Sequence, residues 1–482
     1  MKTMAKKAAV IGFDCAIPKR LQALVAEGAL PNFKKFIEDG SYMTEGYNLP
    51  TVTPPSWATI CTGAYPRTHG VEDYYYYLEG ESLEHKKTCQ AFGSEILTAE
   101  TIWDAWDKKG KKCIVVNYPM SWPSKMRNGV MVMGEGLSPA ETRWQQLGNA
   151  HKEYLASESV VSSDFYPMGV QARFDDAKGW ANLPAGAEEP LEAVIPITFK
   201  ESMEPLKGQT WYALAWEGGD DGYDRFALCP ERDFSKAFFT ISAGQWSGVV
   251  THEFTIAADG RTEKGTFRCK LMELSDDAES FRLYITGISG FSAPAEAADK
   301  LAIADQVICN DMGLVAFIHG VIDMDTVVEL AQFHSDWLTA AATSTLKANP
   351  DWDLFYMHTH LVDWFYHGWL SDMDSEDAVR RERALDMERR IYQIEDRLLG
   401  NLLKALGDDA LVCLCSDHGA TPMGPIFNTA EALKAAGLCH YEPKASENYW
   451  EIYEESEGYN YILDVTKSKA VPQRYMFVYV NQ

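Results

Sequence analysis

Acidic and imidazole side chains recur after three apolar runs of this chain, and their types suit the holding of divalent cations. Asp14 follows the run at 8–13, and Asp417-His418 follows the run at 411–415. Asp363 and His367 follow a third, and their i, i+4 spacing puts both on one face of a helix. Taken singly, each has an ordinary structural reading. A carboxylate past a strand can cap the next helix, and an Asp–His pair four apart can be an ion pair. Taken together, three carboxylates and two imidazoles form a mixed oxygen and nitrogen donor set that suits zinc, with manganese as second choice. Two such ions about 3.5–4 Å apart would clamp a phosphoryl group from both sides.

A fourth element, Thr53-Pro54-Pro55-Ser56, supplies hydroxyls. The prolines fit the first turn of a helix running to about residue 62, with Thr53 at its cap beside the free N–H groups and positive dipole end. A threonine hydroxyl is a poor nucleophile at neutral pH unless a metal removes its proton. By itself the position reads as a helix cap; the ligand-type residues elsewhere turn the reading towards a nucleophile. His358 and His360 fall on one side of a strand and could approach the cations, but buried strand histidines are the plainer reading. Trp57 reads as packing. The run Asp73-Tyr74-Tyr75-Tyr76-Tyr77 offers a stacking face for a base, although an aromatic loop packed on neighbouring structure is the simpler expectation.

To bring these residues together, the chain must fold as an α/β protein. The patterns predict strands at 8–13, 41–48, 112–117, 352–358 and 410–416, and helices at 18–27, 31–39, 101–109, 325–348 and 375–406. Such alternation implies a mostly parallel central sheet with helices on both faces, and ligands collect at the carboxyl ends of its strands. From about 205 to 290, short alternating runs separated by Gly- and Asp-rich turns predict an inserted antiparallel β-rich subdomain. The expected division is 1–140 and 326–482 for the catalytic core, with 141–325 as a cap-like insert.

With 46% apolar and 24% charged residues, the composition is that of an ordinary globular protein. A net charge of −26 argues against duplex nucleic acid or an anionic membrane as partner, and means that cations would have to reverse the field locally for a phosphate substrate. No apolar run approaches the roughly 18 residues of a membrane span. Scattered cysteines without paired spacing, and an apolar N-terminal run too short for a secretory signal, suggest reduced thiols and a cytoplasmic protein. Nothing in the sequence fixes an oligomeric state.

The four elements, in this order, resemble the alkaline phosphatase superfamily, and within it the type I phosphodiesterase/nucleotide pyrophosphatase family. The resemblance spans 8–135 and about 345–480 and includes Thr101-Ile102-Trp103-Asp104, Val116-Asn117-Tyr118-Pro119 and the loop Thr62 to Gly70. It implies a hydrolase of small phosphate esters or nucleotides that forms a phosphothreonine on Thr53, which water then cleaves. One cation would be held by Asp14, Asp417, His418 and Thr53, and the other by Asp363 and His367; His69 would brace the loop. Ser56 stands where nucleotide-cleaving relatives have Asn, and would donate to a phosphate oxygen. Those relatives add a downstream histidine to the second cation. Only His440 follows His418 here, so a fragment ending before that ligand is expected, with His440 a poor substitute. Phosphomonoesterase and phosphomutase chemistry would reuse the same residues. A sulfatase would need Cys or Ser in place of Thr53 and Arg in place of Trp57, while a truncated, inactive metal-binding protein is the non-enzymatic alternative.

Overall fold

The first apolar run and the two that carry ligands at their ends become neighbours in one sheet. In a computed structural model the described residues are 6–43, 49–76, 80, 83, 89–122, 125–132, 152–199, 205–219, 222–291, 310–424, 427–443, 461–472 and 477–481. The core strands are β1 (Lys7–Phe13), β2 (Cys113–Val116), β3 (Gly129–Val132), β4 (Leu354–Thr359) and β5 (Ala410–Cys415). They form a five-stranded parallel sheet in the order β5-β1-β4-β2-β3. β1 therefore lies between the two strands that deliver Asp363 and Asp417, and all three carboxyl ends open on the same edge.

The core helices are α1 (Pro18–Ala26), α2 (Pro31–Asp39), α3 (Thr53–Thr62), α4 (Met324–Ala348), α5 (Leu361–Trp369) and α6 (Ala378–Leu406). Asp323 caps α4 by accepting from the Thr326 amide, and Asp377 caps α6 by accepting from the amides of Val379 and Arg380. The period of two along the strands sorts side chains to opposite faces. Ile11, Phe355 and Met357 join α4 and α6 in one apolar cluster, whereas Leu354 and Tyr356 join Trp57, Trp103, Tyr118 and Trp122 in another. β2 and β4 are buried along their whole length, as parallel strands covered on both faces must be.

Two expectations change. Residues 41–43 carry no strand, and 44–48 lie outside the described residues. Strands of the β-rich region begin at Lys152 rather than near 205, because those at 152–176 are short and broken by polar turns that weaken the alternation. One sheet there has the order Phe239–Ile241, Arg225–Cys229, Gln209–Trp216, Leu191–Ile197, Asp175–Asp176, and all its pairs are antiparallel. Elsewhere in the region one pair, Ser159–Ser162 with Gly169–Gln171, is parallel. Lys270 ties the region to α4, donating to Thr326 Oγ1 at 2.9 Å and to Glu329 at 2.6 Å.

Candidate active site

Asp14 leaves β1 with its amide still in the ladder, donating to the Thr359 carbonyl at 2.9 Å. Cys15 then turns the chain at φ 55, and the Asp14 carboxylate is left fully buried. Its two oxygens face different groups. Oδ2 accepts from Trp57 Nε1 at 2.9 Å and lies 3.0 Å from both His358 Nε2 and His360 Nδ1. Oδ1 faces His418 Nε2 at 3.5 Å and has no hydrogen-bond partner among the described residues. Trp57 reaches Asp14 by crossing β1 at Gly12, where a Cβ would stand 2.3 Å from the indole. Any larger residue at 12 would push that ring away.

Thr53 is the first residue of α3 and Val52 is its cap, which corrects the expected position by one residue. The Thr53 hydroxyl is thereby turned from the helix amides into the site. It accepts from the Tyr74 hydroxyl at 2.9 Å and lies 3.0 Å from His418 Nε2. His418 Nδ1 faces the Gly419 carbonyl at 2.9 Å, and a carbonyl can only accept. A ring proton is therefore assigned to Nδ1, which leaves Nε2 as the donor atom on the side of the Thr53 hydroxyl. The same nitrogen lies 3.3 Å from Asp417 Oδ2, another buried oxygen without a hydrogen bond among the described residues. The other Asp417 oxygen accepts from the Cys15 amide at 3.2 Å.

Asp363 opens α5 and is nearly buried, with Oδ2 3.0 Å from His360 Nε2 and 3.2 Å from His367 Nε2. His367 is largely exposed on the outer side. Ser56 lies one turn into α3, buried, and its Oγ has no partner among the described residues. The expected loop brace has matching contacts: His69 accepts from the Val71 amide through Nδ1 at 3.1 Å and meets Thr59 Oγ1 through Nε2 at 3.1 Å. Burial pushes His69 down to about 4, so it is neutral there.

Crowding of carboxylates dominates the electrostatics. Burial and the neighbouring Asp14 charge push Asp417 well above the usual carboxylate range. Burial also opposes ionisation of Asp14 and Asp363, but the imidazoles against them outweigh it and hold both below their ordinary values. For His360, burial disfavours the charged ring, yet Asp14 and Asp363 carry it well above the ordinary imidazole value. Like charges at this spacing cannot all ionise without cations. The buried oxygens Asp14 Oδ1 and Asp417 Oδ2, facing His418 Nε2 and the Thr53 hydroxyl, make a donor set that a divalent ion would satisfy. The residues fit a metal.

Among the described residues donor atoms cluster closely in three sets: Asp14 with Asp417 and His418, Asp14 with His358 and His360, and Cys15 with Asp363 and His418. The fold thus gathers Asp14, Thr53, Asp363, His367, Asp417 and His418 at the carboxyl edge of the sheet. Three neighbours were undervalued from sequence. His358 and His360 pack against Asp14, and the signal was their two-residue spacing just ahead of Asp363. Tyr74 contacts Thr53 instead of serving only as an aromatic loop, and no local pattern marks that. Side chains of Tyr75 to Tyr77 lie outside the described residues. His440 is exposed between Thr429–Ala435 and Tyr441–Pro443 and joins none of the described donor clusters.

Among the described residues no helix is long and apolar enough to cross a membrane. No curated protein matches the sequence significantly. Solved structures of phosphonoacetate hydrolase from Sinorhizobium meliloti 1021, in complex with phosphonoformate and with phosphonoacetate, are similar at 13% identity and a TM-score of 0.39. The similarity covers 92% of this chain, which spans 66% of the length of those chains. The family Type I phosphodiesterase / nucleotide pyrophosphatase matches residues 8–202 and 291–478, more than the motifs alone had suggested. The unmatched stretch between the two blocks carries most of the β-rich region. The chain belongs to the Type I phosphodiesterase / nucleotide pyrophosphatase family.

Proposed function

We propose that this chain hydrolyses small phosphate esters, of the phosphodiester or nucleotide pyrophosphate type, through a phosphothreonine on Thr53. The observation that carries this reading is the Thr53 hydroxyl, 3.0 Å from His418 Nε2 and amid two buried carboxylate oxygens that have no hydrogen bond among the described residues. Asp14, Asp417, His418 and Thr53 would hold one cation, and Asp363 with His367 the other; zinc fits best and manganese second. Bound there, the cations would lower the hydroxyl pKa and neutralise charge on the phosphoryl oxygens.

Thr53 Oγ attacks phosphorus, the Thr–O–P bond forming as the P–O bond to the leaving group breaks; the proton lost from Thr53 departs with that group, an alcohol from a diester or a phosphate from a pyrophosphate. Water then attacks the same phosphorus, releasing phosphate monoester and restoring the hydroxyl. Tyr74 donates to Thr53 Oγ and so fixes the direction of its lone pairs. The Ser56 hydroxyl, one turn further along α3 and without a partner among the described residues, donates to a phosphoryl oxygen. His358, His360 and Trp57 keep Asp14 immobile. On this reading 1–140 and 326–482 form the catalytic unit and 141–325 shapes the substrate pocket.

Phosphomonoesterase or mutase activity would use the same nucleophile, so the test must separate them. Zinc-loaded full chain is assayed on bis(p-nitrophenyl) phosphate and p-nitrophenyl phosphate, with acid-quenched protein examined for phosphothreonine at residue 53. Faster diester cleavage with label on Thr53 is expected. Much faster monoester cleavage would overturn the diester preference, and an active enzyme with no trapped adduct and an unchanged Thr53→Ala rate would overturn the nucleophile. A chain that binds metal and turns over neither ester would be the non-catalytic alternative.

A further inference from the structure

The second oxygen of Asp14 lies in a surround that the catalytic reading does not require. Oδ2, His358 Nε2 and His360 Nδ1 stand 3.0, 3.0 and 3.4 Å apart, a near-equilateral triangle of donor atoms. All three side chains are buried. The outer nitrogen of each ring is already engaged. His358 Nδ1 faces the Asn117 carbonyl at 3.2 Å, which can only accept, so that nitrogen carries a proton. His360 Nε2 faces Asp363 Oδ2 at 3.0 Å, where a proton is equally required. With the outer nitrogens so engaged, the two inner nitrogens and Asp14 Oδ2 face one another across the junction.

The indole N–H of Trp57 and two imidazole nitrogens converge on one carboxylate oxygen at this junction. Oδ2 has two lone-pair directions, and the indole N–H of Trp57 takes one at 2.9 Å. Two imidazoles then converge on the remaining one. A divalent cation fits this junction, since it accepts a lone pair from each of the three atoms. Ligands bound at about 2.0–2.1 Å in a tetrahedral shell lie about 3.3 Å apart, close to the triangle observed. Each ring also has the outer partner that metal-bound histidines have, a backbone carbonyl for one and a carboxylate for the other.

We propose that Asp14 Oδ2, His358 Nε2 and His360 Nδ1 form a further divalent transition-metal site, back to back with the Oδ1 side of the same carboxylate. Two nitrogens and one oxygen favour zinc, cobalt(II) or iron(II) over magnesium or calcium. Asp14 would bridge this ion and the one beside Thr53. Asp363 would orient His360 from behind. The site stands on its own donors and does not depend on Thr53 being the nucleophile.

The probe is cobalt(II) added to chelator-treated full chain, with bound ions counted after gel filtration and the visible d–d absorption recorded. The His358→Ala/His360→Ala double variant is expected to hold about one ion fewer per chain than the wild type and to lose the matching absorption. His367→Ala and Thr53→Ala should leave that ion in place. An unchanged ion count in the double variant overturns the site, whatever His367→Ala does. If the double variant does not fold, judged by circular dichroism, wild-type protein labelled with 15N-histidine decides. Zinc should move the inner-nitrogen signals of both rings to metal-bound positions, and signals that stay at their metal-free positions with zinc in excess overturn the proposal.

Discussion

The carboxyl edge of the parallel sheet and the β-rich region both bury charged side chains, but they neutralise them in different ways. In the β-rich region Glu192 is met by Arg232 at 2.7 and 3.2 Å and by Trp180 Nε1 at 2.9 Å. Burial would raise its pKa, and Arg232 with Trp180 more than reverses that, holding it below the ordinary value. At the sheet edge Asp14, Asp363 and Asp417 crowd together with imidazoles, and two oxygens stay unpaired among the described residues. One arrangement is complete within the protein. The other would be completed by an added cation, as in a site kept for chemistry rather than for stability.

Thr53→Ala should break the sheet-edge side of this contrast most severely. Ester cleavage is expected to fall by about 10³-fold or more while bound metal falls far less, because the nucleophile is lost and most donors stay. Steady-state rates beside metal content check this. Asp417→Asn comes next. Removing one donor should weaken zinc binding by roughly 10²-fold or more, yet the metal-free chain should melt about 1–3 °C higher because a like charge has gone from a buried cluster. A lower metal-free melting temperature would mean that the carboxylates are not in conflict.

Glu395 and Glu192 give the two regions opposite pH signatures. Glu395 is fully buried under β4, accepts from Thr359 Oγ1 at 2.7 Å, and burial pushes it up to about 8. Its folded pKa lies above its unfolded one, so its contribution is full below about pH 4.3 and is lost as pH rises towards 8. Glu395→Gln should remove that slope and raise stability at pH 7 by about 2 kcal/mol, read from urea unfolding at several pH values. Glu192 has the reverse sign: its contribution is present above about pH 4.3 and is lost on acidification. Glu192→Gln should cost only about 1 kcal/mol at pH 7, since Arg232 is partly exposed and screened. Smallest is Ser56→Ala, a fall of about 5–10-fold in kcat/KM from one lost hydrogen bond to the phosphoryl group.

By itself the sequence determined the pieces. Apolar runs of 4–8 residues followed by Asp14, Asp363 and Asp417 marked strands with carboxylates at their ends, and the strand–helix alternation implied parallel pairing. Thr53 ahead of two prolines was legible as the start of a helix, although its place was one residue off because Val52 takes the cap. Tertiary structure decided which of these residues meet. The order β5-β1-β4 brings Asp417 and Asp363 to the two sides of Asp14, across about 350 to 400 positions of chain. Only that meeting shows that Asp14 faces one group through Oδ1 and another through Oδ2, that His358 and His360 are more than strand filling, and that Tyr74 touches Thr53. Periodicity reports which face a side chain takes. Which carboxylate oxygen it finds there depends on strand order and hydrogen-bond direction, and neither is local.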